Sequence, residues 1–226
     1  MRVSIYLFSL YLLCATGLQA QKQMLSKKDN DPNAKRILDK LKKDYDSFKS
    51  IELSFTLELE LPGQPKEIQK GLVAQQGNKY MIRLDQQEIY CDGKLLWVYL
   101  KKNNEVQINN FNSNDTEGII TPQDMMQLYS KGQFVYAVTG EGTENNQQVT
   151  FIEFKPLDAN SEYSKFRLAV NTKLNKMVSL KVFSKDGSRY HLIVNEFTPN
   201  KKFENGYFVF NMSKYKGIRV EDLRID

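Results

Sequence analysis

From Ile51 to Leu61 the chain alternates without a break. Ile51, Leu53, Phe55, Leu57, Leu59 and Leu61 fall on one side, and Glu52, Ser54, Thr56, Glu58 and Glu60 on the other. A period of two is that of an extended strand, whose successive side chains point to opposite faces, so this segment has one dry face and one wet one. The same period returns in Tyr80, Ile82 and Leu84, in Leu95 to Leu100 and in Val149 to Phe154. It continues in Phe166, Leu168 and Val170, in Val178, Leu180 and Val182, in Tyr190, Leu192 and Val194, and in Phe208 and Phe210. Asp92-Gly93 and Asp186-Gly187 are strong hairpin dipeptides, and Asn103-Asn104 and Gly140 to Asn146 weaker turn signals. Turns about ten residues apart predict an antiparallel sheet of many strands, curled because open sheets beyond ~10 strands rarely stay flat.

Two helices break this pattern. Asp31-Pro32 supplies a capping acceptor and a fixed φ at the first helical position. Ala34, Ile37, Leu38, Leu41, Tyr45 and Phe48 then form an apolar stripe with lysines and aspartates opposite. A second helix is expected to open at Thr121-Pro122, where Asp124 follows Thr121 as in a capping box, and to stop before Gly132. Met125, Met126, Leu128 and Tyr129 dominate it.

Arg2 precedes the apolar run Val3 to Leu13, and Ala15, Thr16, Gly17 and Ala20 follow. That order predicts a secretory signal peptide over residues 1–20, cleaved near Ala20, because a membrane anchor needs about 20 apolar residues. Residues 21–32 then form a flexible leader, and 33–226 one domain without a linker or convincing internal repeat. Cys14 falls inside the signal, which leaves Cys91 alone and no internal disulfide. The net charge of +5 comes from interspersed residues rather than a dense basic run, which argues against a nucleic-acid partner.

Catalytic machinery is not legible. His191 is the single histidine and has no Gly-x-Ser-x-Gly elbow to serve. Between Tyr190 and Leu192 it points to the opposite face from them, as an ordinary surface residue would. One histidine and one remaining cysteine do not make a zinc set, and no Asp-x-Asp-x-Asp-Gly calcium loop is present. Cys91, before the Asp92-Gly93 turn, reads as a small semi-buried strand-end residue. Glu221 and Asp222, beside Arg219 and Arg224, read as a solvated network. The expectation is a protein that is not an enzyme and uses no cofactor or metal.

What stands out is apolar surface. A curled sheet has a broad concave face, and two helices carrying Leu38, Leu41, Met125 and Met126 cover it in part or fill it. Those methionines either adapt to a variable guest such as an acyl chain or plug a closed core.

Asp92-Gly93-Lys94-Leu95-Leu96-Trp97-Val98-Tyr99 resembles the D-G-K-x-L-W-x-Y hairpin of the periplasmic lipoprotein carrier family LolA. The surrounding order is similar too, from the signal and first helix through the strand at Ile51, Gly71, Tyr80 and the Pro122 helix to Glu221-Asp222-Leu223-Arg224. The likeness extends over residues 33–226. It implies a mainly β (α+β) fold, an unclosed antiparallel β-barrel of about ten or eleven strands with a helical lid over an apolar cavity. In the family that cavity carries lipoprotein acyl chains from an inner-membrane release complex to an outer-membrane acceptor. Each buried methylene contributes ~0.8 kcal/mol, which is enough to shelter a cargo that would aggregate in water. One departure concerns the lid. Family members place an Arg-Pro pair before the aromatic strand, and here Gln75-Gln76-Gly77-Asn78-Lys79 stands there, with Lys79 and Arg83 the nearest cations.

The reading is therefore a monomeric periplasmic carrier whose cargo is a lipidated protein or an acyl lipid. Candidate lining residues are Phe55, Leu57, Leu59, Tyr80, Ile82, Leu84, Trp97, Met125, Met126, Leu128, Phe166 and Leu168. The inward parity at Trp97 is open, since Leu96 and Val98 are apolar as well. The alternative function on the same scaffold is a lipid- or lipoprotein-sensing adaptor domain.

Overall fold

The computed structural model describes residues 26–111 and 132–224. The signal peptide expected over residues 1–20, the helix expected to open at Thr121-Pro122 and the candidates Met125, Met126 and Leu128 lie outside them. Alternation builds β1 (Ile51–Glu60), β2 (Glu67–Gln76), β3 (Lys79–Arg83), β4 (Gln87–Cys91), β5 (Leu95–Leu100) and β6 (Glu105–Asn110). It then builds β7 (Phe134–Glu144), β8 (Gln147–Pro156), β9 (Tyr163–Asn171), β10 (Lys176–Ser184), β11 (Arg189–Pro199) and β12 (Arg219–Asp222). The described residues hold one α-helix, α1 (Pro32–Ser47).

All twelve strands form one open sheet in the order β12-β6-β5-β4-β3-β2-β1-β11-β10-β9-β8-β7. Neighbours are antiparallel except β12, which runs parallel to β6. The sheet exceeds the expected ten or eleven strands, and this short parallel edge strand is one that alternation does not reveal. Turns fall at Gly93 and Gly187, both at φ near +90°, and at Asn145-Asn146 and Asn175, where left-handed asparagines reverse the chain. Register shifts at Ser54/Phe55, Met177/Ser179 and Val138/Gly140 insert bulges that bend the strands and help the sheet curl.

Cross-strand register sorts the two faces. Leu53 pairs with Val73, Val73 with Ile82, Ile82 with Ile89 and Ile89 with Val98, which sets these on the concave side. The neighbouring row, Ala74, Met81, Tyr90 and Trp97, is convex. Phe208 and Phe210 are not in a strand. After β11 the chain crosses the convex face, where Phe208 packs on Ala74 and Met81, and Phe210 packs with Trp97, Tyr99, Val106 and Ile108. Their two-residue spacing mimics a strand, but it only seats both rings on one surface.

The capping signal at Asp31 is realised. Its carboxylate accepts from Asn33 N at 2.8 Å and from Val138 N of β7 at 3.0 Å, and its own N–H donates to Tyr136 O at 3.0 Å. The bonds from Val138 and Asn33 hold the carboxyl below the usual range, and those to Val138 and Tyr136 occupy a donor and an acceptor of an edge strand that would otherwise stay open. Ala34, Ile37, Leu38, Leu41 and Tyr45 are buried with Leu53, Tyr136, Ile152, Phe154, Phe166, Leu168 and Leu180 in the main core. The helix thus covers part of the concave face.

His191 is not an ordinary surface residue. Nδ1 lies 3.1 Å from Glu58 Oε2 and Nε2 lies 2.8 Å from Glu144 Oε1, so it joins β1, β11 and the end of β7 on the convex side. Ser179 Oγ donates to the same Glu144, and Asn145 Nδ2 donates to Val194 O at 3.1 Å, which pins the β7–β8 tip against β10 and β11.

Candidate functional site: an apolar hollow on the concave face

Beyond the part filled by α1, the described residues leave an open hollow on the concave face. A hollow of about 730 Å³ lies between the β1–β4 limb and the β9–β11 limb of the sheet. Leu53, Val73 and Met177 lie at its inner end. Phe55, Leu57, Ile82, Leu84, Ile89, Leu180, Val182, Tyr190 and Leu192 form its walls. The volume falls within the roughly 300–1,000 Å³ of small-molecule sites. No α1 side chain lines it among the described residues.

One glycine shapes the wall. Gly71 of β2 stands opposite Phe55 in register, and a Cβ there would meet Phe55 Cζ at 2.2 Å. The bare backbone of β2 therefore lets the Phe55 ring lie flat across it.

Polar residues gather at the other end. Gln87, Glu162, Ser184, Lys185 and Asp186 ring the hollow beside Tyr163, which is 36% exposed. Lys185 Nζ donates to Ala159 O at 2.6 Å, and Asp186 accepts from Ser188 N at 2.8 Å, so the rim is held by its own turn. The arrangement offers apolar contact inside and polar contact at the mouth. It presents no nucleophile beside a base, and among the described residues no group of three His, Cys, Asp or Glu could hold a metal ion. Cys91 is wholly buried, and burial pushes its thiol pKa up.

Of the candidates named from sequence, Phe55, Leu57, Ile82 and Leu84 come together in the lining. Leu59 shares their strand face but lies beyond the hollow. Tyr80 is on the concave side with Ile89 and Cys91, against Phe111, and does not line it. Phe166 and Leu168 are buried in the core with α1. Trp97 is on the convex face. Leu180, Val182, Tyr190 and Leu192 are lining residues that sequence reasoning left out, although their alternation was visible. The missing information was which strands face one another across the curl.

A curled, unclosed sheet with an apolar hollow on its concave side is the architecture of a lipoprotein-carrier half-barrel. The family described as outer membrane lipoprotein carrier protein LolA matches residues 81–211, from β3 into the convex crossing. The chain belongs to that family. An uncharacterized conserved protein from Thermus thermophilus shares the fold with a TM-score of 0.54 at 11% identity, over 84% of this chain and 99% of that one. A LolA superfamily protein from Nitrosomonas europaea is similar with a TM-score of 0.40 and 15% identity, over 78% and 97% of the two chains. An uncharacterized protein of Methanocaldococcus jannaschii is 32% identical over 73 residues, which are 32% of this chain and 22% of that protein. The match thus spans about a fifth of that curated relative's length.

Proposed function

We propose that this protein is an exported carrier that shelters the acyl chains of lipoproteins, or of another acyl lipid, in the hollow and conveys them from inner to outer membrane. The observation that carries the reading is the 730 Å³ apolar hollow left open between the two limbs of the sheet. Ten buried methylenes contribute about 8 kcal/mol, so partial insertion of a chain already gives useful affinity while leaving transfer to a better acceptor feasible. Family membership supports the periplasm as its location, with residues 1–20 as the export signal and 33–226 as the working domain. The acyl-contacting set is Phe55, Leu57, Ile82 and Leu84, joined by Leu180 and Leu192 from the facing limb. Binding and release involve no bond chemistry. Native mass spectrometry of the protein purified from its own envelope tests the reading: a co-purifying lipid or lipoprotein is expected, and bare protein under conditions that preserve such complexes contradicts it.

A further inference from the structure

We propose that α1 and the β9–β10 turn together form a docking surface for an anionic phospholipid bilayer. Lys35 and Lys42 of α1 pair with Asp39 and Asp46, and Asp44 accepts from Asn175. Arg36, Lys40 and Lys43 remain. At spacings of four and three they form one stripe along the helix. Asn175 Nδ2 also donates to Lys40 O at 3.1 Å, which seats the β9–β10 turn beside that stripe. Arg36, Lys40, Thr172 and Asn175 line one shallow groove of about 160 Å³, with Glu141 as its acid. Lys173 and Lys176 flank Asn175 in the turn. None of the five cations forms an ion pair among the described residues.

Charge alone would suit any polyanion. Leu174 points to a membrane. It sits in the turn between those two lysines, next to a left-handed Asn175, and is 60% exposed. An apolar tip surrounded by cations enters the boundary between headgroups and acyl chains while the lysines meet lipid phosphates. Orientation follows from the strands. Tyr163 begins β9 and Ser184 ends β10 at the mouth of the hollow, so the turn lies some nine residues away, about 30 Å at strand rise. A docked protein holds its mouth away from the bilayer, toward the aqueous phase and a partner within it. The inference does not depend on what fills the hollow.

Co-sedimentation of the full chain with phosphatidylcholine vesicles, with and without phosphatidylglycerol, tests it. Binding should need the anionic lipid and weaken with salt. Lys40→Gln/Lys43→Gln/Lys173→Gln should lose about 100-fold in partitioning, about fivefold per cation. Leu174→Ser should lose about fivefold at unchanged charge. All four positions are exposed, so an unchanged thermal midpoint certifies the fold. The difference between wild type and variants separates this surface from other apolar stretches of the chain. Equal binding to both vesicles, equal binding of the triple variant, or capture of polyglutamate without vesicle binding would each overturn the proposal.

Discussion

Phe55 and Gly71 show how closely the hollow depends on single atoms. Gly71 has no positive φ, so its role is space rather than backbone freedom. Gly71→Ala drives a methyl into the Phe55 ring, and the ring can yield only toward the hollow. Overpacking of this kind costs about 1–3 kcal/mol, which urea denaturation should read as a lower midpoint at unchanged slope. Affinity for a long-chain acyl probe should fall with it. A second residue links the convex face to pH. Burial disfavours ionisation of Glu88, but hydrogen bonds from Tyr90 and Lys101 and the charge of Arg83 outweigh it and hold its carboxyl below the ordinary value. Tyr215 beside it is pushed up to about 12, chiefly by burial. Because the folded-state pKa of Glu88 is depressed, its contribution is complete above the unfolded value of about 4.3 and is lost as pH falls through the folded one. Acid titration of stability should therefore show a slope below about pH 5 that Glu88→Gln diminishes. An unchanged slope in the variant would mean that the three partners do not favour the charged form.

At the scale of elements, α1 and the β7–β8 hairpin act as two clasps on opposite faces. Leu41 is wholly buried where the helix meets the concave face, so Leu41→Ala should cost about 2–5 kcal/mol by chemical denaturation. His191→Ala removes the bridge between Glu58 and Glu144, which keep Lys66 and Ser179 as partners, and a cost of about 0.5–1.5 kcal/mol is expected. Faster amide exchange near Asn145 would locate that loss at the hairpin tip. Elements were the most legible level of the sequence. Asp31-Pro32 specified the helix start, and the alternation from Ile51 specified β1, because caps and period-two patterns are local physics. What stayed hidden needed distant partners. The face of Trp97 depends on a register chain running from Leu53 through Val73, Ile82 and Ile89. Phe208 and Phe210 looked like strand because a loop crossing a sheet also alternates when both its rings must reach one surface. His191 looked solvent-facing until the β7–β8 tip came back over it.

For the whole molecule, the consequence is a division of labour between the two sides of one sheet. The convex side is closed by residues 200–218, whose aromatic rings pack on Trp97, Tyr99 and Tyr90. Among the described residues, α1 covers one part of the concave side and leaves the hollow beside it open. Trp97, the single tryptophan, is 6% exposed on the convex side, so its emission should be that of a buried indole and should stay put when an acyl ligand binds. A large shift would place the ligand on the wrong face. The most direct test of the hollow is equilibrium titration of a fluorescent fatty-acyl probe into wild type and Leu57→Glu. Leu57 is partly buried on the wall, and a carboxylate there sets an unpaired charge against the acyl chain. Saturable binding by wild type and at least a roughly 100-fold loss in a folded Leu57→Glu variant is the predicted result. Equal binding by both would contradict an acyl site in this hollow.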